Sequence, residues 1–268
     1  HVHHGPSRLT MPLLRDAASK PWQEASWPTA LQHLGGRLRR IIDEHGCDAV
    51  GVYSGNMAGQ SLGAVLGAAA LLEGLDCRKH YAVLTLDNAP MFVVAERMFG
   101  VPTATFVADY AHSDMILLVG TDPLSSQASQ AQSHPRAVPD LLARARAGQL
   151  VVVDPRMSAT ARRASLHLAP APGSDVALLA WLVGEVAERG SRDDRCTQSD
   201  VDAIRAAVAR FDETAVQAWT GLSQGSLYDL RDRLLDAEHP LVWSGLGVLL
   251  GPCGTVGWWL TVVLQTLL

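Results

Sequence analysis

The sequence predicts an α/β fold built on a doubly wound, mainly parallel sheet. Short apolar runs without polar alternation recur along the chain, as in "DMILLVG" (Asp114 to Gly120) and "LVVV" (Leu150 to Val153). Such runs are typical of strands that are covered on both faces. Apolar helical segments separate them, which indicates crossover connections between parallel strands. The 268 residues, 48% of them hydrophobic, are enough for a buried core in one large domain or two lobes.

The pattern predicts the elements in a regular order. An extended arm leads into a first helix, Thr29 to His45, and strand and helix then alternate. A glycine at position 148 stands just past one helix, where a C-cap glycine belongs. The predicted strands are 48–54, 81–86, 114–120, 150–153 and 240–244. The predicted helices are 29–45, 59–73, 89–99, 138–147, 174–188, 199–211, 223–237 and one from about residue 254.

The last thirty residues, His239 to Leu268, carry no charged side chain, so a membrane span is an alternative for this segment. However, "GLGVLLGPCGTVGW" places five glycines and Pro252 inside it. We expect a short buried strand, a glycine-rich turn and a core helix there, and no membrane span.

The composition argues against two classes of site. The net charge is −5, and the lysines and arginines are scattered without a basic stripe, so no nucleic-acid partner is expected. The four cysteines (Cys47, Cys77, Cys196 and Cys253) lie far apart, without a CxxC pair or a metal-binding spacing. They are expected to be reduced thiols.

Polar loops follow the predicted strands, and ligands of such sheets bind at the carboxyl ends of the strands. These loops carry glycines, small hydroxyls and carboxylates, and one of them adds Arg156. A carboxylate suits ribose hydroxyls or the N–H edge of guanine, and a guanidinium suits phosphate. The set therefore predicts a purine nucleotide site, although no GxGxxG and no GxxxxGK[ST] motif occurs. The loops are 53–61, 86–90, 120–127, 154–160, 171–175 and 244–248.

Each of these features has a purely structural alternative. Asp154 can be a helix N-cap with Pro155 at the first helical position, and Ser174 or Asp175 can be another cap. Asp122 with its following proline can be a plain turn. Their joint occurrence on successive strand ends favours a site.

The order of several motifs identifies a family resemblance. "RLTMPLLR" comes first, then a helix entry with Trp22 and Trp27, then "DMILLVGTDP", "VVVDPR…TA" and "APGSDVALLAWL". This set resembles the molybdopterin oxidoreductase superfamily, in the dimethyl sulfoxide reductase and formate dehydrogenase group. The resemblance covers nearly the whole chain, which looks like an amino-terminal fragment of a longer catalytic subunit.

The resemblance implies a cofactor and a set of contacts. In that family two molybdopterin guanine dinucleotides hold one molybdenum or tungsten. The family usually has Asn where this chain has Asp122. The positions implied to bind the cofactor are Gly120, Thr121, Asp122, Ser125, Ser126, Asp154, Arg156, Pro172, Gly173, Asp175, Gly245 and Gly247.

The metal-binding loop departs from the family pattern. The family's metal ligand falls near Met57, and a thioether is a poor ligand for an oxidised molybdenum centre. The metal ligand is therefore left unassigned. Asn56, Ser54 and Gln60 are the residues that we expect on the substrate side of the metal.

The resemblance also implies a domain plan. Residues 1–52 are expected to form the first part of an outer α/β lobe, and 240–268 to return to it. Residues 53–239 are expected to form an inserted Rossmann-like lobe that binds one molybdopterin guanine dinucleotide. Many members carry a 4Fe-4S cluster whose cysteines would lie upstream of His1.

The expected function is two-electron oxo or hydride transfer on a small substrate, in the manner of formate dehydrogenase. An electron-transfer subunit or redox carrier is the expected partner, together with the remainder of the polypeptide or a complementary chain. The fragment alone is not expected to be active. Its location is left open between the cytoplasm, the cytoplasmic side of a membrane and the periplasm.

Two alternatives belong to other classes. The methionine at position 57 motivates a non-catalytic scaffold or electron-transfer relative, such as the large iron–sulfur subunit of respiratory complex I. An unrelated nucleotide-binding α/β domain is the other, and it does not explain the order of the motifs.

Overall fold

The structure is a computed structural model that describes residues 5–55, 58–59, 61–104, 107–126, 134–194 and 196–268. Contacts divide the chain into two compact units, His1–Val83 and Leu84–Leu268.

The first unit holds two small sheets and two helices. Strands β1 and β2 pair antiparallel, and β3 and β4 pair parallel, with Ser54 opposite Ala82. The first helix begins two residues before its predicted start, because Ser26 caps it and accepts a hydrogen bond from the Thr29 N–H. The elements are β1 (Leu13–Leu14), β2 (Gln23–Glu24), α1 (Trp27–His45), a 3-10 turn (Cys47–Ala49), β3 (Val52–Ser54), α2 (Leu62–Gly74) and β4 (His80–Ala82).

Three predictions near this unit were wrong in their bounds. The strand predicted over 48–54 begins only at Val52, because Cys47–Ala49 forms a 3-10 turn. The strand predicted over 81–86 ends at Ala82, and Leu84–Asp87 forms a helical turn, α3. A short apolar run does not distinguish a strand from a helical turn, which is why the pattern misled. The helix predicted from Gly59 begins only at Leu62, because Ser61 is its N-cap.

The second unit confirms the α/β class with a parallel sheet. Its four strands lie in the order β7-β6-β5-β8, and all three pairings are parallel. The strands are β5 (Met115–Val119), β6 (Leu150–Val153), β7 (Leu166–Leu168) and β8 (Pro240–Ser244). The helices are α4 (Ala89–Phe99), α5 (Ala137–Arg146), α6 (Asp175–Glu188), α7 (Gln198–Val208), α8 (Glu213–Thr220), α9 (Gln224–Asp236), α10 (Leu246–Leu249) and α11 (Gly254–Leu267).

The sheet of the second unit separates two apolar cores. Successive side chains of a strand point to opposite faces of the sheet. On one face, Leu117 packs into a cluster with α6, α9 and α11. On the other face, Ile116 and Leu118 pack into a cluster with α5. All nine residues of β5 and β6 are buried. Burial on both faces explains why these strands are continuous apolar runs.

The uncharged carboxyl-terminal segment folds as predicted into a strand, a turn and a helix. Trp258 on α11 is buried and meets Trp243 of β8 edge to face, with ring centroids 5.6 Å apart. Within the described part of the chain, no helix is long and apolar enough to cross a membrane.

Arg192 ties the end of α9 to the loop that precedes α7. Its guanidinium donates to the carbonyl oxygens of Leu235, Ala237 and Glu238, at 3.0, 2.8 and 3.2 Å. Leu235 lies in the last turn of α9 and the other two residues follow its end, where carbonyls lack intrahelical donors and a cation is favourable.

We expect Arg192→Ala to lower the free energy of unfolding by about 1–2 kcal/mol, because several carbonyls lose a charged donor at once. Urea unfolding of the intact protein measures the change. The matched control is Arg189→Ala, since that side chain is exposed and forms no hydrogen bond or ion pair with a described residue. Equal effects of the two substitutions would contradict the assignment.

Candidate functional site

The predicted cofactor residues of the second unit lie at the carboxyl edge of its sheet. Two loops at this edge follow neighbouring strands: the β5 loop, residues 120–126, and the β6 loop, residues 154–160. The turn that precedes α6 and the turn that follows β8 complete the edge.

Backbone contact joins the β5 loop to the turn after β8. The Gly245 N–H donates to the Val119 carbonyl, and the Gly247 N–H to the Gly120 carbonyl, both at 2.9 Å. Gly120 has φ +60, and a Cβ on Gly247 would lie 2.8 Å from the Gly120 Cα. The predicted glycines are therefore brought together, and their lack of side chains allows the two turns to touch.

Asp122 joins the β5 loop to the β6 loop. One carboxylate oxygen accepts from the Thr160 N–H at 3.0 Å and the Thr160 hydroxyl at 2.5 Å. The other accepts from the Ser125 hydroxyl at 2.7 Å and the Ala159 N–H at 3.3 Å. Burial alone would raise the pKa of Asp122, but these hydrogen bonds outweigh it and hold the pKa below its usual range.

The other predicted residues of the β5 loop differ in how they are engaged. The Ser125 and Ser126 N–H groups donate to the Asp122 carbonyl at 3.0 and 2.9 Å, which closes a turn. Both serines are exposed. The Thr121 side chain lies against Gly245, where an added Cβ would come within 2.4 Å of the threonine Cβ.

Asp154 is buried at the end of β6, and the helix-cap alternative for it was wrong. No helix follows it until a 3-10 turn at Ala161–Arg163. Its carboxylate instead accepts from the Arg156 N–H at 2.8 Å, which is an Asx turn. Its carbonyl accepts a bond from His167 Nε2 at 2.8 Å. The second carboxylate oxygen has no donor among the described residues.

Arg156 extends from the same loop into solvent. Its side chain is 77% exposed, and its Nε lies 4.0 Å from an Asp154 carboxylate oxygen. An ion pair at that distance and exposure contributes little. The guanidinium fork is therefore available for an anionic ligand.

Asp175 is the first residue of α6, and its carboxyl is half-buried. Burial raises its pKa above the ordinary range, and the negative charge of Asp154 raises it further. Ser174 donates to the Ala171 carbonyl at 2.6 Å and does not cap the helix through its side chain. Pro172 and Gly173 form the exposed turn beside these residues, and Gly173 has φ +84.

The predicted substrate-side residues lie in the first unit, and only one of them is described. Ser54 ends β3, and its hydroxyl is 2.9 Å from His80 Nε2 on β4. Asn56, Met57 and Gln60 lie outside the described residues. No group of three or more His, Cys, Asp or Glu side chains with metal-site geometry occurs among the described residues.

Two polar residues of these edges were missed from the sequence. Thr160 is fully buried and holds the β6 loop to Asp122. It stands inside the "VVVDPR…TA" motif, which was the available signal. His80 was missed because nothing in a strand sequence shows which side chain of the neighbouring strand it meets.

The open groups suit the nucleotide part of the implied cofactor. Asp154 and Asp175 are acceptors for ribose hydroxyls or guanine N–H groups, and Arg156 is a free donor for phosphate. The glycine contact keeps side chains out of the turn between β5 and β8. These residues therefore fit a guanine dinucleotide in chemistry.

Comparisons with known proteins identify the family of the chain. The family model for molybdopterin oxidoreductase matches residues 8–264. Nitrate reductase of Klebsiella oxytoca is 29% identical over 84% of this chain and 25% of its own length. The assimilatory nitrate reductase catalytic subunit of Bacillus subtilis is 27% identical, over 84% and 31%. Formate dehydrogenase H of Escherichia coli is 23% identical, over 90% and 33%.

A solved structure shows the same fold. Acetylene hydratase from Pelobacter acetylenicus superposes with a TM-score of 0.80 over 99% of this chain and 36% of its own, at 18% identity. The chain spans about a quarter to a third of the length of the relatives that it matches. Because the family model covers nearly all of the sequence, the chain belongs to the molybdopterin oxidoreductase family.

Proposed function

We propose that this chain is part of a molybdenum or tungsten oxidoreductase that uses bis-molybdopterin guanine dinucleotide. The observation that carries the proposal is the pair of carboxylates at the sheet edge, Asp154 and Asp175, beside the solvent-exposed guanidinium of Arg156. The family match and its relatives support the same class of enzyme.

The chain's own residues would bind and orient the nucleotide end of one cofactor. Asp154 and Asp175 would accept hydrogen bonds from guanine or ribose, and Arg156 would donate to phosphate. Gly120, with its neighbours across the turn, would let the cofactor approach the backbone. The proposed contact set is completed by Thr121, Ser125, Ser126, Pro172, Gly173, Gly245 and Gly247, and Asp122 lies at the same edge. When bound, the metal centre supplies two-electron redox chemistry.

The substrate side would be formed by Ser54, Asn56 and Gln60. The hydrogen bond between Ser54 and His80 holds the serine hydroxyl at the end of β3. Reduction of a small oxyanion is supported by relatives named as nitrate reductases, and oxidation of formate by formate dehydrogenase H. Nitrate and formate are therefore the two substrates to test.

Further parts of the proposal concern the whole protein. We place the inserted cofactor lobe at residues 53–239, with 1–52 and 240–268 in an outer lobe. An electron-transfer subunit or redox carrier would exchange electrons with the metal, through a 4Fe-4S cluster where one is present. A bacterial nitrate reductase subunit among the relatives is named as catalytic, which supports a role in the catalytic subunit.

The test is chemical analysis of the purified intact protein. We expect about one molybdenum or tungsten atom per polypeptide and two guanine nucleotides after acid release of the cofactor. Reduced dye should then drive nitrate reduction, or formate should reduce the dye. A protein that contains neither metal nor pterin, although its cell makes the cofactor, would overturn the proposal.

Arg156→Ala should weaken nucleotide binding without weakening the fold. The side chain is 77% exposed, so the free energy of unfolding should change by no more than about 0.5 kcal/mol. Loss of a charge-assisted bond to phosphate should lower cofactor retention roughly tenfold. Guanine released per polypeptide measures retention. Arg163→Ala, at an exposed arginine after the same loop, is the control and should retain the cofactor.

A further inference from the structure

The β5 and β6 loops are held together by a carboxylate that accepts four hydrogen bonds. The donors to Asp122 are the N–H and hydroxyl of Thr160, the N–H of Ala159 and the hydroxyl of Ser125. A carboxylate has about four acceptor positions on its two oxygens. The chain itself therefore supplies a donor for each of them, and none is left for a ligand.

This donor set favours an aspartate over an asparagine at position 122. Two donors face each oxygen, and three of the four come from the β6 loop. An asparagine would turn its NH₂ group toward one pair of donors, because an amide accepts at its oxygen only. The hydroxyl of that pair can rotate and accept, but the backbone N–H of Ala159 or Thr160 would lose its acceptor. The carboxylate of Asp122 is thus matched to the donors of the neighbouring loop.

Thr160 is the central partner in the link. It is fully buried, and its hydroxyl accepts from the Leu124 N–H at 3.2 Å while it donates to Asp122. The β5 loop therefore bonds to Thr160 both as donor and as acceptor. The β6 loop that is held in this way also carries Asp154 and Arg156.

We propose that Asp122 is a positioning residue, which fixes the β6 loop through Thr160 so that Asp154 and Arg156 meet the cofactor, and that Asp122 makes no cofactor contact of its own. The inference rests on the proposed function for the identity of the ligand. It rests on the hydrogen bonds alone for the link between the loops.

The test compares Asp122→Asn, Thr160→Val and the double variant in the intact protein. Guanine released per polypeptide after gel filtration measures cofactor retention. Each single variant should lower cofactor retention roughly tenfold. An effect of this size is typical when a residue that orients a ligand-binding group is lost. The double variant should fall no further than the worse single variant, because both substitutions break one link. Thr160→Ser keeps the hydroxyl and should restore retention.

Two outcomes of the cofactor-retention measurement would overturn the inference. Additive losses, roughly a hundredfold in the double variant, would show that Asp122 binds the cofactor independently of Thr160. Retention that is unchanged in both single variants would show that the link does not position the site.

Hydrogen exchange separates failure of this inference from failure of the proposed function. In Asp122→Asn, amides of the β6 loop should exchange at least tenfold faster, while amides of α6 should keep their rate. This expectation holds with or without a bound cofactor. Unchanged exchange of the β6 loop overturns the positioning role, whereas wild-type protein without any guanine nucleotide overturns the proposed function.

Discussion

Gly247→Ala should destabilise the protein by about 3 kcal/mol or more. A Cβ at this position would lie 2.8 Å from both the Cα and the carbonyl oxygen of Gly120. Those atoms belong to backbone, so no side chain can turn aside to make room. Either the turn after β8 or the β5 loop must shift.

The shift would break hydrogen bonds that join the two strands. The Gly247 N–H donates to the Gly120 carbonyl at 2.9 Å, and the Gly245 N–H donates to the Val119 carbonyl at the same distance. Moving this turn also moves the β5 loop, which we propose to lie against the cofactor. Cofactor retention should therefore fall together with stability.

Gly225→Ala is the matched control for that substitution. Gly225 lies in the first turn of α9, and a Cβ added there would meet no atom within 4 Å. Alanine favours a helix over glycine by about 0.5–1 kcal/mol, so the control should be neutral or slightly stabilising. Urea unfolding compares both variants with the wild type. A loss of less than about 1 kcal/mol in Gly247→Ala would contradict the predicted steric conflict.

The central part of the fold was predictable because its signals are strong. "LVVV" has no helical period and no polar alternation, and β6 occupies the same four residues. The helix predicted over 89–99 has its predicted bounds, with Gly100 in the left-handed region at its end. In both cases local chemistry and tertiary burial favour the same structure.

Short elements were missed because their stability comes from tertiary contacts. The strand Leu166–Leu168 has three residues, too few for a period to show, and its pairing with β6 defines it. The helix Glu213–Thr220 has eight residues between an Asp212 cap and Gly221. Those two residues were the available signal, although so short a helix depends on packing against α6.

The candidate site shows the same contrast. The carboxyl ends of parallel strands share one edge of a sheet, so the sequence could predict that Gly120, Gly245 and Gly247 lie together. Asp122 bonds to Thr160, which lies 38 residues further along the chain. This bond depends on the spacing between two neighbouring loops, and no periodic pattern in the sequence encodes that spacing. For this reason the sequence predicted Asp122 as a ligand contact, whereas its bonds support a positioning role.

Asp114→Asn should lower the free energy of unfolding at pH 7 by about 2–3 kcal/mol, because it weakens two charge-assisted hydrogen bonds at once. The carboxylate of Asp114 precedes β5 and accepts from the Glu238 N–H at 2.7 Å and the His239 N–H at 2.9 Å. It thereby fixes the start of β8 beside the start of β5. The Asp114 N–H also donates to the His239 carbonyl.

The control for this substitution is Asp236→Asn at the end of α9. The Asp236 side chain is exposed and forms no hydrogen bond or ion pair with the described part of the chain. Its replacement should change stability by no more than about 0.5 kcal/mol. Urea unfolding of both variants and the wild type at pH 7 gives the comparison.

The effect of Asp114→Asn should depend on pH in one direction. Burial alone would raise the pKa of Asp114, but the Glu238 and His239 N–H groups outweigh it, so the folded-state pKa lies below its ordinary value of 3.8. A depressed pKa stabilises the folded state fully above the unfolded pKa, and this stability is lost as the pH falls through the folded pKa. The difference between wild type and Asp114→Asn should therefore be largest at pH 7 and shrink below about pH 4. A difference that stays constant down to pH 3 would show that the carboxylate charge does not hold the two strands together.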